Sequence, residues 1–230
     1  ITSHGSYSGT VQQANEVLSA YGRLWTADTT SDKTTIKWSD SLIGEAWTGG
    51  ASGSLDMETV YTNGTTPIVA LAAFNGYLVV FCEKSIAIFD GADEDPSTNL
   101  ALVDIIDGIG CVSRDSVVDV GTDILFLSDT GVRSLGRVID QKSAPIFDIS
   151  QNVRDDLITD VRTNNDNTSI RAGYHDVDGF YILSLPYLGK TYYFDLKKRL
   201  ENNVCRVTTW NLAPTAVCFR RNKDFLFGLY

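Results

Sequence analysis

One arrangement recurs along this sequence: an apolar strand, a polar turn and a second apolar strand. It is seen in "FNGYLVVFCEKSIAIFDG" at 74–91, "DILFLSDTGVRSL" at 123–135 and "DGFYILSLPYLGKTYYFDL" at 178–196. Aligned on the turn before an apolar strand, the units open at Gly22, Gly76, Thr122, Gly179 and Lys223. The openings recur about every 50 residues, the length of one four-stranded blade of a β-propeller.

Most units also contain strand-like sequence on either side of this paired core. Runs rich in β-branched and aromatic residues, bounded by Gly, Asn and Asp, are typical of strands. They precede the openings at 67–74, 115–121, 169–177 and 213–221, and another follows at 205–212. About four strands per unit predict an all-β fold, a β-propeller domain over 1–230 with blades starting near 22, 76, 122 and 179 and an incomplete unit from 223.

Two stretches do not have the strand pattern, "VQQANEVLSA" at 11–20 and "SQNVRDDLITDVR" at 150–162. In the second, apolar side chains recur at helical spacing behind Ser150, a candidate N-cap. They are Val153, Leu157, Ile158 and Val161. This pattern predicts one short helical insertion between blades.

The charge balance limits the partners of the chain. Twenty-nine acidic residues against nineteen basic ones give a formal net charge of −10. This charge opposes the phosphate contacts that dominate nucleic-acid affinity, so tight DNA binding is not expected, although DNA can pass such a surface without binding. No run of about 18 apolar residues occurs, so we expect no membrane-spanning segment.

The residues that usually carry chemistry form no recognisable motif. The four cysteines, Cys82, Cys111, Cys205 and Cys218, contain no CxxC pair and are expected to be free thiols packed as small apolar groups. His4 and His175 lie in different units and are expected at the surface or in turns. Nucleophile elbows, P-loops and dinucleotide fingerprints do not occur. The sequence therefore predicts no catalytic residue, no cofactor site and no metal site, and a protein that is not an enzyme.

Two sets of carboxylates leave alternatives open. The cluster Asp90, Asp93, Glu94 and Asp95 suggests calcium, but it departs from the EF-hand template, and an exposed loop around Pro96 is favoured. Asp28, Asp90, Asp129 and Asp195 lie near strand ends, where a propeller glycosidase would place paired acids. Since Asp is also a common turn residue, turn roles are favoured for all four.

Three stretches carry a resemblance to a known family. They are "YGRLWTADTTSDKTTIKWSDSLIGEAW" at 21–47, "GIGCVSRDSVVDVGTDILFLSDTGVRSL" at 108–135 and "TYYFDLKKRLENNVCRVTTWNL" at 191–212. In this order they resemble the tail nozzle proteins of short-tailed bacteriophages, also called tail tubular protein B or stabilization protein. Matching features are the Gly-Arg-Leu strand, the Ser39–Asp40 pair, the Gly-Val-Arg turn and a Trp-bearing strand after Asp-Leu.

The resemblance implies a virion structural protein and a set of partners. Members of that family form a homo-hexameric ring at the end of the tail, joined to an adaptor protein and carrying tail fibres or other tail proteins. DNA leaves through the channel of the ring without specific binding, and assembly takes place in the cytoplasm of the bacterial host. Nozzle proteins are normally longer, and "KDFLFGLY" at the end reads as the first strand of another unit. We therefore expect this sequence to be part of a longer chain.

Two other functions stay open at this point. A carbohydrate-binding or carbohydrate-cleaving propeller would also suit a tail or an extracellular protein, and it predicts a central pocket with convergent carboxylates and aromatic platforms. A cellular scaffold propeller of the WD or kelch kind is disfavoured, because its Gly-His and Trp-Asp pattern does not occur.

Overall fold

The computed structural model describes residues 13–61, 64–141, 149–200, 204–219 and 224–229. Within these residues the chain forms antiparallel sheets of two to four strands with few helices, which confirms the predicted all-β class. The chain divides into two compact units, Ile1–Gly110 and Cys111–Tyr230.

The first unit contains two four-stranded sheets. The first sheet consists of β1 (Ala14–Ala20), β2 (Arg23–Thr29), β3 (Thr35–Trp38) and β4 (Gly53–Asp56). The second consists of β5 (Ile68–Phe74), β6 (Tyr77–Cys82), β7 (Ser85–Asp90) and β8 (Ala101–Asp107). Every strand pairs with the next in chain order, so both sheets are meanders. One-turn helices α1 (Met57–Val60) and α2 (Pro96–Asn99) lie in the connections.

Strand β1 corrects the interpretation of 11–20 as an interruption of the strand pattern. It pairs along β2 from Ala14↔Thr29 to Ala20↔Arg23. The usual alternation is missing because an apolar residue is exposed and a charged residue is buried. Val17 is 59% exposed, whereas Glu16 is buried and accepts the N–H of Leu71 on β5 at 3.0 Å. A buried carboxylate with a backbone donor occupies the place of an apolar residue.

Two of the predicted unit openings are tight hairpin turns. Tyr21–Gly22 joins β1 to β2 and Asn75–Gly76 joins β5 to β6, and all four residues have positive φ. Two-residue turns of this kind match the twist of antiparallel strands, and glycine adopts the conformation without a steric cost. The turns predicted from the sequence at Gly22 and Gly76 are therefore present in the fold.

Apolar side chains from both sheets form the core of the first unit. Trp25 and Trp38 lie on neighbouring strands with ring centroids 5.5 Å apart. Leu78, Val80 and Phe89 from the second sheet belong to the same buried cluster. Burying an aromatic side chain of this size contributes about 2–3 kcal/mol to the free energy of unfolding, so this cluster stabilises the pairing of the two sheets.

The second unit contains three sheets. The first consists of β9 (Val118–Asp119), β10 (Ile124–Ser128) and β11 (Gly131–Ser134). The second consists of β12 (Arg171–His175), β13 (Phe180–Leu185), β14 (Lys190–Arg199) and β15 (Cys205–Trp210). The third is the hairpin β16 (Ala216–Phe219) and β17 (Phe225–Gly228). The predicted opening at Thr122 lies two residues before β10, the one at Gly179 directly precedes β13, and Lys223 lies outside the described residues.

Two longer helices follow β11. The predicted helix is α4 (Arg154–Asn164), preceded by a 3-10 turn at Gln151–Val153. A second helix, α3 (Leu135–Gln141), was not predicted, because seven residues are too few for a visible helical period. Ser150 lies at the N-cap position of the 3-10 turn, but its side chain makes no cap hydrogen bond, and its Oγ accepts the N–H of Val132 at 3.0 Å.

The stretch 123–135 contributes several core residues to the second unit. Four of its apolar residues are buried: Leu125, Leu127, Val132 and Leu135. The first three pack with the side chains of Leu157, Tyr181 and Phe194 in one cluster. Within the described residues, no helix is long and apolar enough to cross a membrane.

Candidate functional site

The four strand-end carboxylates occupy four different sheets. Lys33 Nζ lies 2.5 Å from Asp28 Oδ1. The Oδ1 atoms of Asp90 and Asp195 accept the backbone N–H groups of Gly91 and Lys197 at 2.9 and 3.0 Å. Asp129 is exposed in the turn between β10 and β11. These local contacts are of the kind that turn residues make.

The acidic cluster at 90–95 has a local structural use as well. Asp95 is the N-cap of α2, accepting the Ser97 N–H at 3.1 Å and the Ser97 hydroxyl at 2.6 Å, and Pro96 is the first helical residue. In the described part of the chain, no three His, Cys, Asp or Glu side chains are grouped to hold a metal ion. The geometry therefore supports the loop interpretation.

His175 is buried, contrary to the expected surface or turn position. It is 6% exposed, its ring stacks on Phe180 with centroids 5.0 Å apart, and Phe225 packs edge-on at 5.9 Å. Its Nδ1 accepts the N–H of Asp178 at 3.1 Å. His175 belongs to an aromatic layer between β12–β15 and β16–β17. Gly173 packs closely on Val217 of β16, because a Cβ at Gly173 would lie 2.8 Å from Val217 Cγ1. His4 lies outside the described residues.

All four cysteines are free thiols, as predicted. Cys82, Cys111 and Cys205 are buried, but Cys218 is exposed rather than packed as a small apolar group. Burial raises the pKa of Cys82 to about 11. Because the thiolate is the reactive form, this thiol stays protonated and unreactive at neutral pH.

We expect one thiol per folded chain to react quickly with dithionitrobenzoate near pH 8, and this thiol to be Cys218. The other three become reactive only on unfolding, because their sulfur atoms are shielded. Titration of native and denatured protein checks the count, and Cys218→Ser should abolish the fast phase. Fast modification of Cys82 in the folded protein would contradict this expectation.

Arg23 and Ser39, two residues of the family-like stretch 21–47, form one buried polar network. Arg23 is 6% exposed and donates from Nη1 to the carbonyl oxygens of Ser39 at 3.0 Å and Ala51 at 3.2 Å. Its Nη2 donates to the carbonyl of Glu94 at 3.2 Å. Ser39 Oγ accepts the Leu24 N–H at 3.1 Å. The network holds both ends of the β3–β4 connection.

Asp40 completes this network at the surface. Its Oδ1 accepts the N–H groups of Ala51 at 3.0 Å and Ser41 at 2.8 Å. These two hydrogen bonds, and then the positive charge of Arg23, lower the pKa of Asp40. The Ser39–Asp40 pair that carries part of the resemblance therefore shapes a loop.

The Gly-Val-Arg stretch forms a similar network in the second unit. Arg133 is 4% exposed and donates from Nε to Ser128 Oγ at 3.0 Å and Thr130 Oγ1 at 3.1 Å. Ser128 Oγ also accepts the N–H of Thr130 at 3.2 Å. Ser128 is thus a turn-forming residue, and its hydroxyl forms hydrogen bonds inside its own hairpin.

A polar clamp attaches α4 to β14. Asp160 Oδ2 accepts Lys190 Nζ and Tyr192 Oη, each at 2.5 Å, and the Lys190 ammonium lies 5.0 Å from the centre of the Tyr192 ring. Burial, followed by the hydrogen bond to Asp160, raises the pKa of Tyr192 above its usual range. The phenol is therefore held in its neutral form.

The clamp predicts a loss of stability at high pH. Because the folded-state pKa of Tyr192 is raised, its contribution is complete below the unfolded value near 10 and is lost as the pH rises above it. We expect the free energy of unfolding to fall as the pH rises from about 10 to about 12, and to fall less steeply in Tyr192→Phe. Urea unfolding across this range checks the slope. Tyr187→Phe, at a position 71% exposed, is the matched control and should keep the wild-type slope.

The concave surfaces of the second unit include a cleft and a larger groove. A cleft of about 360 Å³ lies between α4 and the β10–β11 turn. Its apolar lining is Leu127, Leu157 and Val161, and its polar lining includes Asp129, Arg162 and Asn165. Leu127 and Leu157 belong to the buried core, so the cleft is the outer limit of the core packing.

The second surface is larger, about 750 Å³, and we name it the Tyr187 groove. The residues that matter for its chemistry are Arg171, Tyr187, Asn211, Leu212, Thr215 and Leu229. Tyr187, Leu212 and Leu229 are 71%, 39% and 58% exposed. Tyr187 sits on a 3-10 turn that starts at Pro186 and ends at Gly189 with φ +64°, so its position is fixed. Arg171 pairs with Asp115 at 2.9 Å.

No protein-family model matches the sequence, and no curated protein matches it either. Among solved structures, Hsv2 of Kluyveromyces lactis aligns with 87% of this chain and 61% of its own, at 12% identity and a TM-score of 0.45. A protein from Lactobacillus plantarum aligns with 94% of this chain and 63% of its own, at 12% identity and a TM-score of 0.47. The chain thus spans a little over three fifths of the length of these structures.

Proposed function

We propose that this chain is a run of β-propeller blades that serves as a scaffold subunit of a short-tailed bacteriophage nozzle. The meanders β1–β4, β5–β8 and β12–β15 each have the strand order of one blade, and they follow the predicted spacing. In this proposal β9–β11 and β16–β17 are parts of further blades, and α3 and α4 are insertions. The protein works as a structural component and has no catalytic turnover.

The observation that carries this proposal is how the family-like stretches use their polar residues. Arg23 and Ser39 form hydrogen bonds that hold the β3–β4 connection, and Arg133 and Ser128 form a hydrogen bond within the β10–β11 hairpin. In 191–212, Asp195 caps the N–H of Lys197 and Trp210 packs on Tyr193 at 5.4 Å. Residues of a reactive site direct polar groups towards a ligand, whereas these groups stabilise their own sheets, as a scaffold requires.

The net charge of −10 suits a wall past which DNA slides. A basic wall would bind phosphates and release counterions, which would slow the passage of DNA. In this proposal the copies form a homo-hexameric ring in the virion tail, which is assembled in the bacterial cytoplasm. The ring contacts the tail adaptor and tail fibres or other tail proteins, and DNA crosses it without specific binding.

Image averaging of the full-length protein with its tail neighbours tests this function. A six-fold ring with an axial channel is the expected result. A particle that remains monomeric beside purified adaptor would refute it, and a channel lined mainly by Lys and Arg would refute the role of the acidic charge.

The carbohydrate-binding alternative is favoured by one observation, the exposed ring of Tyr187 beside Arg171 and Asn211. Flat sugar faces pack on aromatic rings, and neighbouring polar groups bond the hydroxyls. A glycan array with wild type and Tyr187→Ala decides it: binding that the substitution abolishes supports this alternative. Asp→Asn scanning of Asp129 and Asp195 with a hydrolysis assay separates cleavage from binding.

A further inference from the structure

The loop between β3 and β4, residues 39–52, displays two aliphatic side chains to solvent. Leu42 is 86% exposed and the neighbouring Ile43 is 52% exposed. Leu42 also has φ +59°, the left-handed region in which the Cβ of an L-residue is crowded by its carbonyl oxygen. The stability of the first unit does not explain why Leu42 is both exposed and in an unfavourable backbone conformation.

The loop presents this apolar tip on a fixed backbone. The Leu42 N–H donates to the Gly22 carbonyl at 2.7 Å, and the Asp40 N–H donates to the Ala46 carbonyl at 2.8 Å. A Cβ placed on Gly44 would lie 2.9 Å from Leu24 Cδ1, so the loop packs closely on β2. Together with the Arg23 and Asp40 hydrogen bonds at both ends of the loop, these contacts order the tip before any partner arrives, which reduces the entropy lost on binding.

The charges of the loop limit its partner. Residues 39–52 contain Asp40 and Glu45 and no Lys or Arg. A nucleic acid or an anionic lipid surface would be repelled by this loop. The fitting partner is a protein groove with apolar walls and a basic or neutral rim.

The Tyr187 groove has these properties. Its apolar walls include Tyr187, Leu212 and Leu229. None of the described residues that line it is acidic, and its charged lining residue, Arg171, is paired with Asp115, so the rim is neutral. Its volume of about 750 Å³ exceeds what two aliphatic side chains need. A contact between a projection on one copy and a groove on another is heterologous, and such contacts produce rings or filaments.

We propose that the Leu42–Ile43 tip of one copy inserts into the Tyr187 groove of a second copy of this chain. The inference deepens the proposed function and rests on its ring of copies. It assigns Leu42 and Ile43 to one side of the contact between copies and Tyr187, Leu212 and Leu229 to the other.

Sedimentation velocity of the 230-residue chain and two variants tests the contact. The wild type should associate with increasing concentration. Leu42→Asp and Tyr187→Asp should each weaken self-association by at least about tenfold, which corresponds to the lost burial of one large apolar side chain. Val103→Asp is the matched control, because Val103 is an apolar residue 54% exposed on β8, and it should associate like the wild type. Circular dichroism of all variants checks that they fold.

Mixing the two variants gives the decisive result. Each retains one intact half of the contact, so an equimolar mixture should form a heterodimer and no larger species. A wild type that stays monomeric, a Leu42→Asp variant that associates normally, or a mixture without heterodimer would each overturn the inference. A six-fold ring that still assembles from Leu42→Asp full-length protein would overturn it while leaving the nozzle function standing. A sugar that binds at Tyr187 without changing self-association would also overturn it and favour the carbohydrate alternative.

Discussion

Replacing Arg23 with Ala should lower the free energy of unfolding of the first unit by about 3–5 kcal/mol, because it leaves buried acceptors without a donor. The guanidinium is 6% exposed and donates to three carbonyl oxygens, one of which, that of Glu94, is 71 residues away in sequence. Its loss also releases both ends of the 39–52 loop. Urea unfolding followed by tryptophan fluorescence measures the effect, since three of the four tryptophans, Trp25, Trp38 and Trp47, belong to this unit.

Two further substitutions make the Arg23 experiment specific. Arg23→Lys should lose less stability than Arg23→Ala, because an ammonium retains the charge but does not reproduce the planar fork of donors. Arg206→Ala, at an exposed position on β15, removes the same charge and should change the free energy of unfolding by less than about 0.5 kcal/mol. Equal stability of Arg23→Ala and wild type would show that the buried network does not hold the loop.

Replacing Gly110 with Ala should destabilise the first unit by about 3 kcal/mol or more, the upper end of the cost of overpacking. A Cβ at Gly110 would lie 2.1 Å from the carbonyl oxygen of Glu83 and 2.4 Å from the nitrogen of Lys84. Both atoms belong to the backbone of the β6–β7 turn, so no side-chain rotation relieves the clash. The measurement is again the urea midpoint, with thermal unfolding as a second readout.

Gly108, two residues earlier, provides the matched control. It has φ +74°, and a Cβ at this position would have no heavy atom within 4 Å, so Gly108→Ala carries the left-handed backbone cost alone, about 1–2 kcal/mol. We therefore expect Gly110→Ala to be clearly less stable than Gly108→Ala. The reverse order would mean that the chain does not pass close to the β6–β7 turn. The "GIG" stretch at 108–110 thus has a packing requirement at its third residue.

Local sequence patterns predicted a large part of the fold. The hairpins at Gly22, Gly76, Thr122 and Gly179 and the helix around Leu157 depend on turn chemistry and side-chain periodicity, which neighbouring residues determine. Strand β1 escaped prediction because its buried residue is Glu16 and its exposed residue is Val17. The short helix α3 escaped it because seven residues contain too few turns.

The candidate sites were less predictable, because their members come from distant parts of the chain. Ser150 has the residue type and position of an N-cap, yet its hydroxyl accepts the N–H of Val132, 18 residues earlier. His175 is a polar residue next to a turn, and only the approach of Phe180 and Phe225 buries it. The Tyr187 groove brings together residues from Arg171 to Leu229, and their spacing in the sequence does not predict that they are close in the fold.

By itself the sequence determined the all-β class, the repeating strand and turn units and the free thiols, because these follow from short-range patterns and from residue type. Only the tertiary structure determined which polar side chains are buried and which apolar side chains are exposed. Arg23 and Glu16 are buried because backbone donors and acceptors from other strands meet them there. Leu42 is exposed because hydrogen bonds from its loop to β2 and across Asp40 hold it there. The burial of these side chains depends on contacts between segments far apart in the chain, which a local sequence pattern does not predict.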